Sequence, residues 1–251
     1  MDTTKFVTYG PTDEVISVTL HADFDTDITG ASTIDISADT DSTASNVIDA
    51  GASDEIVTVI GSSGIDTISL SDENFDSIAT GGDGNDILIS TNASNEDVFI
   101  FASTGALNDT DAITGTFTAN LDNLDFTAFS TGLSLVAGVT ESNGTANTQM
   151  QNKVILLSSI INSAVALVDT AAEVLTLIQG AGDALEMASG GKGIVIGGSN
   201  NAADTRAFIY FVDDTVDGTN GTLSGNDVTL VGTLETAVDL DLIVATNLVL
   251  A

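Results

Sequence analysis

The chain has 251 residues, 43% of them hydrophobic, and its formal net charge is −33 because 37 Asp and Glu face only four Lys and Arg. So few cations cannot neutralise the carboxylates, and the chain repels itself unless counterions or bound metal ions lower its charge. Nucleic acid and anionic membrane surfaces are therefore not expected as partners. The apolar content suffices for one or two packed domains and argues against wholesale disorder, although solubility at high salt is a rival explanation of the acidity.

The chain contains no cysteine, which excludes disulfide bonds and thiolate chemistry. This composition is compatible with an extracellular protein that is stabilised by calcium instead of disulfides. The first residues lack the long apolar run of a Sec signal peptide. The longest apolar region, residues 154–168, is interrupted by Ser and Asn, so we expect no insertion into a membrane.

Residues 1–24 predict a leading strand or an N-terminal cap, because residues 14–20 are rich in β-branched side chains. The single histidine, His21, follows this run among several Asp residues. Such a histidine is more typical of a structural or solvated residue than of a catalytic base. The chain also lacks the H-E-x-x-H motif of zinc metalloproteases. We therefore expect no enzymatic activity.

Residues 81–89 fit the nine-residue pattern G-G-x-G-x-D-x-U-x at every specified position, which is the repeat of calcium-binding parallel β-rolls. Glycine at Gly81, Gly82 and Gly84 permits a tight turn with positive φ and lets backbone carbonyls point at an ion. Asp86 adds a carboxylate to this oxygen cage, which suits Ca²⁺. An apolar residue then begins a short strand that fills the interior.

Neighbouring ten-residue blocks repeat parts of this pattern. Their sixth position reads Ile56, Asp66, Asp76 and Asp86, and their eighth position reads Thr58, Ile68, Ile78 and Leu88. These columns predict a parallel β-solenoid, or β-roll, across residues 25–100, with its best calcium sites near the C-terminal end. An antiparallel β domain with Asx- and Gly-rich turns is the alternative, and it explains the turns but not the columns.

The predicted calcium ligands belong to this repeat. The expected carboxylate ligands are Asp86, Asp66 and Asp76, followed by Asp83. The three glycines of residues 81–84 shape the turn and supply carbonyl oxygens. For Asp83, a solvated turn residue is an equally good interpretation.

Residues 101–251 are predicted to form a β-rich domain with a helical insert at about 149–180. Strands are expected at residues 97–101, 112–114, 121–126, 193–196, 207–212, 228–231 and 242–244. Residues 148–151 resemble a capping box. Asp169 is a good N-cap for a second helix, whose apolar residues keep helical spacing until Gly180.

A second candidate calcium site begins at Asp213, where the sequence imitates the start of an EF-hand loop and offers Asp213 and Asp217 as ligands. Thr215 breaks the second acidic position, and Ser224 stands where the bidentate Glu belongs. A β-turn is therefore the favoured interpretation of this segment. The other, weaker candidate ligands are Asp109 and Asp111.

Residues 81–129 resemble the end of a repeat-in-toxin (RTX) β-roll that enters its C-terminal domain. The matching motifs are D-x-F-x-F at residues 97–101, an N-D turn at residues 108–113 and D-x-L-D-x-T-x-F at residues 122–129. Residues 169–233 resemble the C-terminal regions of type I-secreted calcium-binding proteins, including some bacterial surface-layer proteins. The apolar tail, residues 242–251, resembles an uncleaved type I export signal.

The resemblance implies a secreted protein that leaves the cell unfolded through a type I ABC transporter and folds outside when Ca²⁺ fills its turns. The physical basis is general, because a ligand that binds only the folded state stabilises that state. The resemblance also implies an extracellular or cell-surface location.

Three functions are compatible with the sequence. We favour a structural protein that self-assembles outside the cell into a surface layer or filament, with copies of itself as partners. The alternatives are a monomeric secreted adhesin or matrix-binding module and the calcium-binding C-terminal part of a secreted enzyme. A cell-surface polysaccharide is a further candidate partner.

Overall fold

The computed structural model describes residues 6–8, 15–20, 32–53, 55–72, 75–118, 121–139, 148–157, 169–179, 185–198, 206–215, 223–235 and 243–250. These residues form mainly β-structure, which confirms the predicted class. Two large sheets, called sheet A and sheet B, dominate the described part of the chain. The helical elements described are α1 (Ala171–Gln179) and short 3₁₀ helices at Gly105–Leu107 and Ala245–Asn247.

Sheet A has seven described strands, and every neighbouring pair is parallel. In spatial order they are β1 (Phe6–Thr8), β3 (Ser32–Asp35), β5 (Val57–Ile60), β7 (Ile78–Thr80), β9 (Val98–Ile100), β11 (Asn123–Asp125) and β19 (Leu248–Val249).

Sheet B has ten described strands. In spatial order they are β12 (Ser134–Val139), β14 (Lys153–Leu157), β16 (Lys192–Gly198), β17 (Ala207–Asp213), β18 (Val228–Leu234), β10 (Asp111–Gly115), β8 (Ile87–Ser90), β6 (Ile65–Ser69), β4 (Ser45–Asp49) and β2 (Ser17–Thr19). Strand β17 is antiparallel to both of its neighbours, and the other pairs are parallel. A separate small sheet joins β13 (Thr148–Gln149) to β15 (Leu185–Glu186).

From β1 to β11 the chain alternates between the two sheets, so each strand pairs with the second strand along the chain. Hydrogen bonds between equivalent residues join positions 20 apart, as from Asp66 to Asp86, or 25 apart, as from Asp86 to Asp111. This spacing brings every second turn of the sequence to the same edge of the molecule.

Side chains that point between the two sheets form one continuous apolar core. It runs from Ile16, beside β2, through Ile68 and Phe99 to Leu156 of β14. A second core lies on the other face of sheet B, where residues of α1 such as Val174 pack against β14, β16, β17 and β18. The helix therefore covers only the C-terminal half of that sheet.

The ten-residue alignment holds for sheet B but slips by one residue in sheet A. Ile68 and Leu88 are buried as predicted, whereas Ile78 is only partly buried and Ala79 fills the core in its place. The same slip applies to Thr58 in β5. Successive side chains of a strand point to opposite faces, so a shift of one residue exchanges the core and outer positions. The prediction that the eighth residue of each block faces the core is therefore wrong for β5 and β7.

The predicted helical insert is wrong in its first part. Residues 153–157 form strand β14, where four consecutive apolar side chains are buried against both cores. Tertiary burial on two faces overrides the helical interpretation of such a run. Residues 158–168 and Gly180 lie outside the described residues.

The second predicted helix is present as α1, but Thr170 caps it instead of Asp169. The backbone N–H and hydroxyl of Thr170 donate to the Glu173 carboxylate at 2.9 and 2.7 Å. The Glu173 N–H donates back to the Thr170 hydroxyl at 3.4 Å. This reciprocal arrangement is a capping box, which the sequence T-x-x-E specifies locally.

The C-terminal strands partly follow the prediction. The strands expected at 193–196, 207–212 and 228–231 are present in β16, β17 and β18. The strand expected at 242–244 is not found at residues 243 and 244, and the chain forms β19 a few residues later. Because β10 pairs with β8 and β11 pairs with β9, both sheets continue across the predicted domain boundary at residue 100. Among the described helices, none has the length and apolar composition needed to cross a membrane.

Candidate cation site in two columns of buried aspartates

Equivalent positions at the start of four sheet B strands form a column of hydrogen-bonded side chains, the Asp86 column, which contains Asn46, Asp66, Asp86 and Asp111. The Asn46 amide donates to Asp66 Oδ1 at 2.9 Å. The backbone N–H of Asp66 donates to Asp86 Oδ1 at 2.8 Å, and that of Asp86 donates to Asp111 Oδ1 at 3.1 Å. Each carboxylate thus joins its own strand to the preceding one.

A second column, the Asp97 column, occupies the same place in sheet A and contains Ser77, Asp97 and Asp122. The backbone N–H of Ser77 donates to Asp97 Oδ1 at 3.3 Å, and that of Asp97 donates to Asp122 Oδ1 at 3.0 Å. The two columns share one local pattern, in which an inward Asp or Ser is followed two residues later by an apolar core residue.

Some of these carboxylates also close their own turns. Asp66 Oδ2 accepts the Ser62 N–H at 2.5 Å, and Asp122 Oδ2 accepts the Thr118 N–H at 2.6 Å. In Asp86 and Asp97, by contrast, Oδ2 is buried and accepts no well-formed hydrogen bond from the described residues. These two oxygens are the least satisfied atoms of the columns.

Burial raises the pKa of the column carboxyl groups, because water no longer solvates their charge. It raises the pKa of Asp97 to about 7, although the nearby Ser90 hydroxyl offsets part of the effect. It raises the pKa of Asp122 to about 6. In Asp86 and Asp111 the pKa is raised chiefly by burial. Repulsion from the Asp66 carboxylate adds to the effect at Asp86, and repulsion from the Asp86 carboxylate adds to it at Asp111.

Neither ion pair in the described part of the chain reaches the columns. Lys192 pairs with Asp213 at 2.7 Å, and Arg206 approaches Glu235 to 3.8 Å. A buried carboxylate without a counter-charge is costly. Protonation of these carboxyl groups would remove that cost, and a cation from solution would lower it.

The glycine turns of the Asp86 column stack closely on each other. Gly82 and Gly84 have φ of 105° and 117°. A Cβ atom on Gly82 would lie 1.9 Å from the carbonyl oxygen of Ser62, and one on Gly84 would lie 2.3 Å from that of Gly64. The backbone N–H of Asp83 donates to the same Ser62 oxygen at 3.1 Å. Only glycine permits this approach of one turn to the carbonyls of the next.

The donor atoms at the Asp86 turn fit a hard cation. Ca²⁺ prefers carboxylate and carbonyl oxygens, and this turn contains both kinds: the buried, unpaired Oδ2 of Asp86 and the carbonyls of Ser62 and Gly64, on which Gly82 and Gly84 stack. The described residues contain no group of three or more His, Cys, Asp or Glu side chains arranged to hold a metal. A cation here would therefore depend mainly on backbone carbonyls, as the glycine-rich turn implies.

The structure brings together only some of the predicted calcium ligands. Asp66 and Asp86 are consecutive members of the Asp86 column. Asp76 is exposed at the sheet A edge, where its Oδ1 accepts the Glu96 N–H at 2.9 Å. The slip of one residue places Ser77, and not Asp76, in the inward position. Asp83 is partly buried at the turn beside Gly82 and Gly84.

The second predicted site is occupied by protein donors. Asp213 Oδ2 faces Lys192, while its Oδ1 accepts both the N–H and the hydroxyl of Thr215 at 3.0 and 2.5 Å. These contacts and the Lys192 charge together lower the pKa of Asp213 against the opposing effect of burial. They form an Asx turn with a salt bridge, which leaves Asp213 little capacity for a cation. Asp217 lies outside the described residues.

Sequence reasoning missed Asp97 and Asp122 as members of a site and ranked Asp111 low. The signal that identifies them is an Asp two residues before a buried apolar residue, as in Asp97–Phe99 and Asp122–Leu124. An alignment with a strict period of ten residues hides this signal, because successive inward positions up to Asp97 are alternately more and fewer than ten residues apart.

Comparison of the chain with protein-family models, curated proteins and solved structures finds no match.

Proposed function

We propose that this chain is a calcium-binding β-roll that acts as a structural protein outside the cell. The observation that carries the proposal is the Asp86 column, where buried carboxylates meet stacked glycine turns without a basic partner among the described residues. The alternation of strands between two parallel sheets, with a spacing of 20 residues between Asp66 and Asp86, supports a roll as the architecture.

In this proposal, Ca²⁺ couples folding to location. The metal supplies positive charge at the turn, while Asp86 and the carbonyls of Ser62 and Gly64 would hold it. Without it, the raised pKa of the column carboxyls means that ionisation opposes folding at neutral pH. Binding to the folded state alone stabilises that state by RT ln(1 + [L]/Kd). A chain exported through a type I transporter would thus fold where calcium is abundant.

The arrangement of the strands supports a structural role. The described strands form two sheets that share one core from end to end, and both aspartate columns serve to join successive strands. We propose that copies assemble into a surface layer or filament. The chain's charge of −33 opposes this association, so Ca²⁺ and salt favour assembly by lowering the repulsion.

An apolar patch favours a second candidate function, a monomeric secreted adhesin or matrix-binding module. On the outer face of sheet B, Val47, Ile65 and Ile87 are 44%, 45% and 39% exposed. They lie on adjacent strands β4, β6 and β8, so they form one surface. Exposed apolar groups in contact with each other often mark a binding site.

The first prediction concerns the ligand at the glycine turn. Asp86→Asn keeps the shape and one acceptor of the side chain but removes its charge. We expect the apparent Kd for Ca²⁺ at this turn to rise at least about ten-fold, a loss of about 1.4 kcal/mol. Isothermal titration calorimetry of the full chain, after removal of metal with a chelator, measures this change.

The matched control is Asp76→Asn, which removes the same charge from an exposed carboxylate outside the column. We expect its Ca²⁺ affinity to equal that of the wild type. Equal losses in both variants would mean that charge in general, and not the column, holds the ion. Mg²⁺ in place of Ca²⁺ tests selectivity, and we expect weaker binding because Mg²⁺ dehydrates reluctantly.

Negative-stain electron microscopy and sedimentation then test assembly itself. We expect ordered polymers in millimolar Ca²⁺ and monomers in chelator. Monomers at every Ca²⁺ concentration, together with intact Ca²⁺ binding, would instead support the monomeric binding module.

A further inference from the structure

Sheet B ends in a strand at each side, and the two end strands run in the same direction. Strand β2 is the outermost described strand at one end, and β12 is outermost at the other. Strand β17 runs opposite to both of its neighbours, so β16 and β18 run in the same direction. All other neighbouring pairs of sheet B are parallel, so β2 and β12 also share one direction. A second copy placed beyond β12 in the same orientation would therefore present its β2 as a parallel neighbour.

Both end strands have backbone groups directed away from their own sheet. In β2, the Ile16 carbonyl accepts the Val47 N–H at 2.9 Å, and the Leu20 N–H donates to the Asp49 carbonyl at 2.8 Å. Because backbone groups alternate in direction along a strand, those of Ser17 and Thr19 point outward.

The same argument applies at the other end. In β12, the Ser134 N–H donates inward to the Asn152 carbonyl at 3.1 Å. The N–H and carbonyl of Leu135 therefore point outward. Each end thus offers donors and acceptors that a neighbouring strand can use.

The apolar core is also incomplete at both ends. Val18 of β2 and Leu135 of β12 pack against the same continuous core, yet each is only partly buried. On the other face of β12, Val136 is a partly buried member of the second core. A strand added at β12 would cover Leu135 and Val136, and the added copy would bury its own Val18 in the same step.

Neither end strand carries a charged residue or a proline, which are two of the features that prevent sheets from joining. Isolated edge strands are commonly protected by charged residues or proline. Strand β2 reads SVT and β12 reads SLVAGV, without a charge or a proline. A register shift lies between Val136 and Val139, so Ser134–Val136 is the regular part of the edge. In a chain of charge −33, the two end strands themselves bring no carboxylate to the contact.

We propose that copies of this chain join head to tail through sheet B, with β2 of one copy pairing in parallel with β12 of the next. This inference rests on the proposed self-assembly and names its interface. The contact joins two different surfaces, so it does not close on itself as a two-fold dimer does. Repetition of the contact gives an open filament with a sheet that continues from copy to copy.

Cysteine cross-linking tests the proposal directly, because the natural chain has no cysteine. Ser17 and Ser134 are exposed on the two end strands. In Ca²⁺, the double variant Ser17→Cys with Ser134→Cys should give a ladder of covalent oligomers with a short thiol-specific cross-linker. Each single variant should remain monomeric on a denaturing gel, and an equal mixture of the two should give dimers only.

A backbone variant provides the second arm. Thr19→Pro removes an outward N–H without breaking a bond inside the sheet. Loss of one hydrogen bond per contact should raise the concentration needed for assembly about five-fold or more. Thr19→Val, which keeps the N–H, should assemble like the wild type, and the melting temperatures of both variants should match that of the wild type.

The outcomes separate this interface from the proposed function. Polymers of wild type with no cross-linked ladder, and with Thr19→Pro assembling normally, overturn the head-to-tail contact but leave self-assembly standing. Cross-linked dimers of a single variant also overturn it, since they show a two-fold contact. A wild type that stays monomeric in Ca²⁺ overturns both.

Discussion

At the scale of single residues, this protein is unusual in how it uses aspartate. Its sequence contains 37 acidic residues, and five of them, Asp66, Asp86, Asp97, Asp111 and Asp122, are almost completely buried. Each accepts the N–H of the equivalent residue, or an equivalent side chain, in the preceding strand. The hydrogen bonds hold the register of the sheet, while the charge makes stability depend on protons and cations.

The Asp97 carboxyl group gives a prediction at this scale. Asp97→Asn replaces a buried group whose pKa is raised to about 7 by a neutral group of the same shape. At pH 8 without metal, we expect this variant to be more stable than the wild type by about 2 kcal/mol or more. Chemical denaturation in chelator measures the difference.

The control is Asp72→Asn, which neutralises an exposed carboxylate and should change stability by less than about 0.5 kcal/mol. At pH 4.5 the advantage of Asp97→Asn should fall to about 1 kcal/mol or less, because Asp97 of the folded wild type is then protonated and only the unfolded chain ionises there. An equal gain at both pH values would mean that the effect does not come from ionisation.

At the scale of elements, the stacked glycine turns decide which side chains can sit in the columns. Gly82 combines positive φ with a backbone carbonyl at its Cβ position, so two independent reasons require glycine there. Gly225 has no atom within 4 Å of its Cβ position and no positive φ. The two positions make a matched pair for substitution.

We predict that Gly82→Ala destabilises the protein strongly and Gly225→Ala does not. The positive φ alone costs about 1–2 kcal/mol in any other residue, and the contact with the Ser62 carbonyl adds to this cost. Gly225→Ala should lie within about 0.5 kcal/mol of the wild type or be slightly more stable. Thermal unfolding in saturating Ca²⁺ compares them, and similar melting temperatures would show that the turns do not stack.

The element scale also shows where sequence reasoning was sufficient. The motif at residues 81–89 correctly specified a tight turn followed by a strand, because glycine and apolar preferences act locally. The same reasoning mistook β14 for part of a helix, since its four buried apolar residues have no period that separates a buried strand from a helix. Burial of β14 between the two cores, one on each face, decides that this segment is a strand.

At the scale of the whole molecule, the buried carboxyl groups of the two columns make the free energy of unfolding depend on pH, and the direction of this dependence follows from their raised pKa values. A carboxyl group whose pKa is raised on folding stabilises the protein fully below its unfolded pKa, near 4, and this contribution is lost as pH rises through the folded pKa. For Asp122 and Asp97 the folded values are about 6 and about 7.

We therefore predict that the metal-free protein is most stable near pH 4–5 and loses stability up to about pH 8. Repulsion between exposed carboxylates develops near pH 4, so the loss between pH 5 and 8 reports on the columns. Melting temperatures across this range in chelator test the prediction. Saturating Ca²⁺ should flatten the curve, and a metal-free protein that gains stability from pH 5 to 8 would contradict it.

The whole molecule also decides which distant segments meet. The last strand, β19, pairs with β11, and Asn247 donates to the Asp122 carbonyl at 3.1 Å across 125 residues of sequence. Such contacts tie the C-terminal region into the same sheets as the first strands. No local pattern predicts them, because their register depends on the path of the whole chain.

By itself, the sequence determined the mainly β class, the glycine turn at residues 81–84 and the candidate role of Asp86, since each depends on local preferences of the backbone and of side chains. The tertiary structure alone decided that Asp76 faces outward while Asp97 and Asp122 face inward. That outcome depends on the parity of each strand, and a single residue in the length of a turn reverses it.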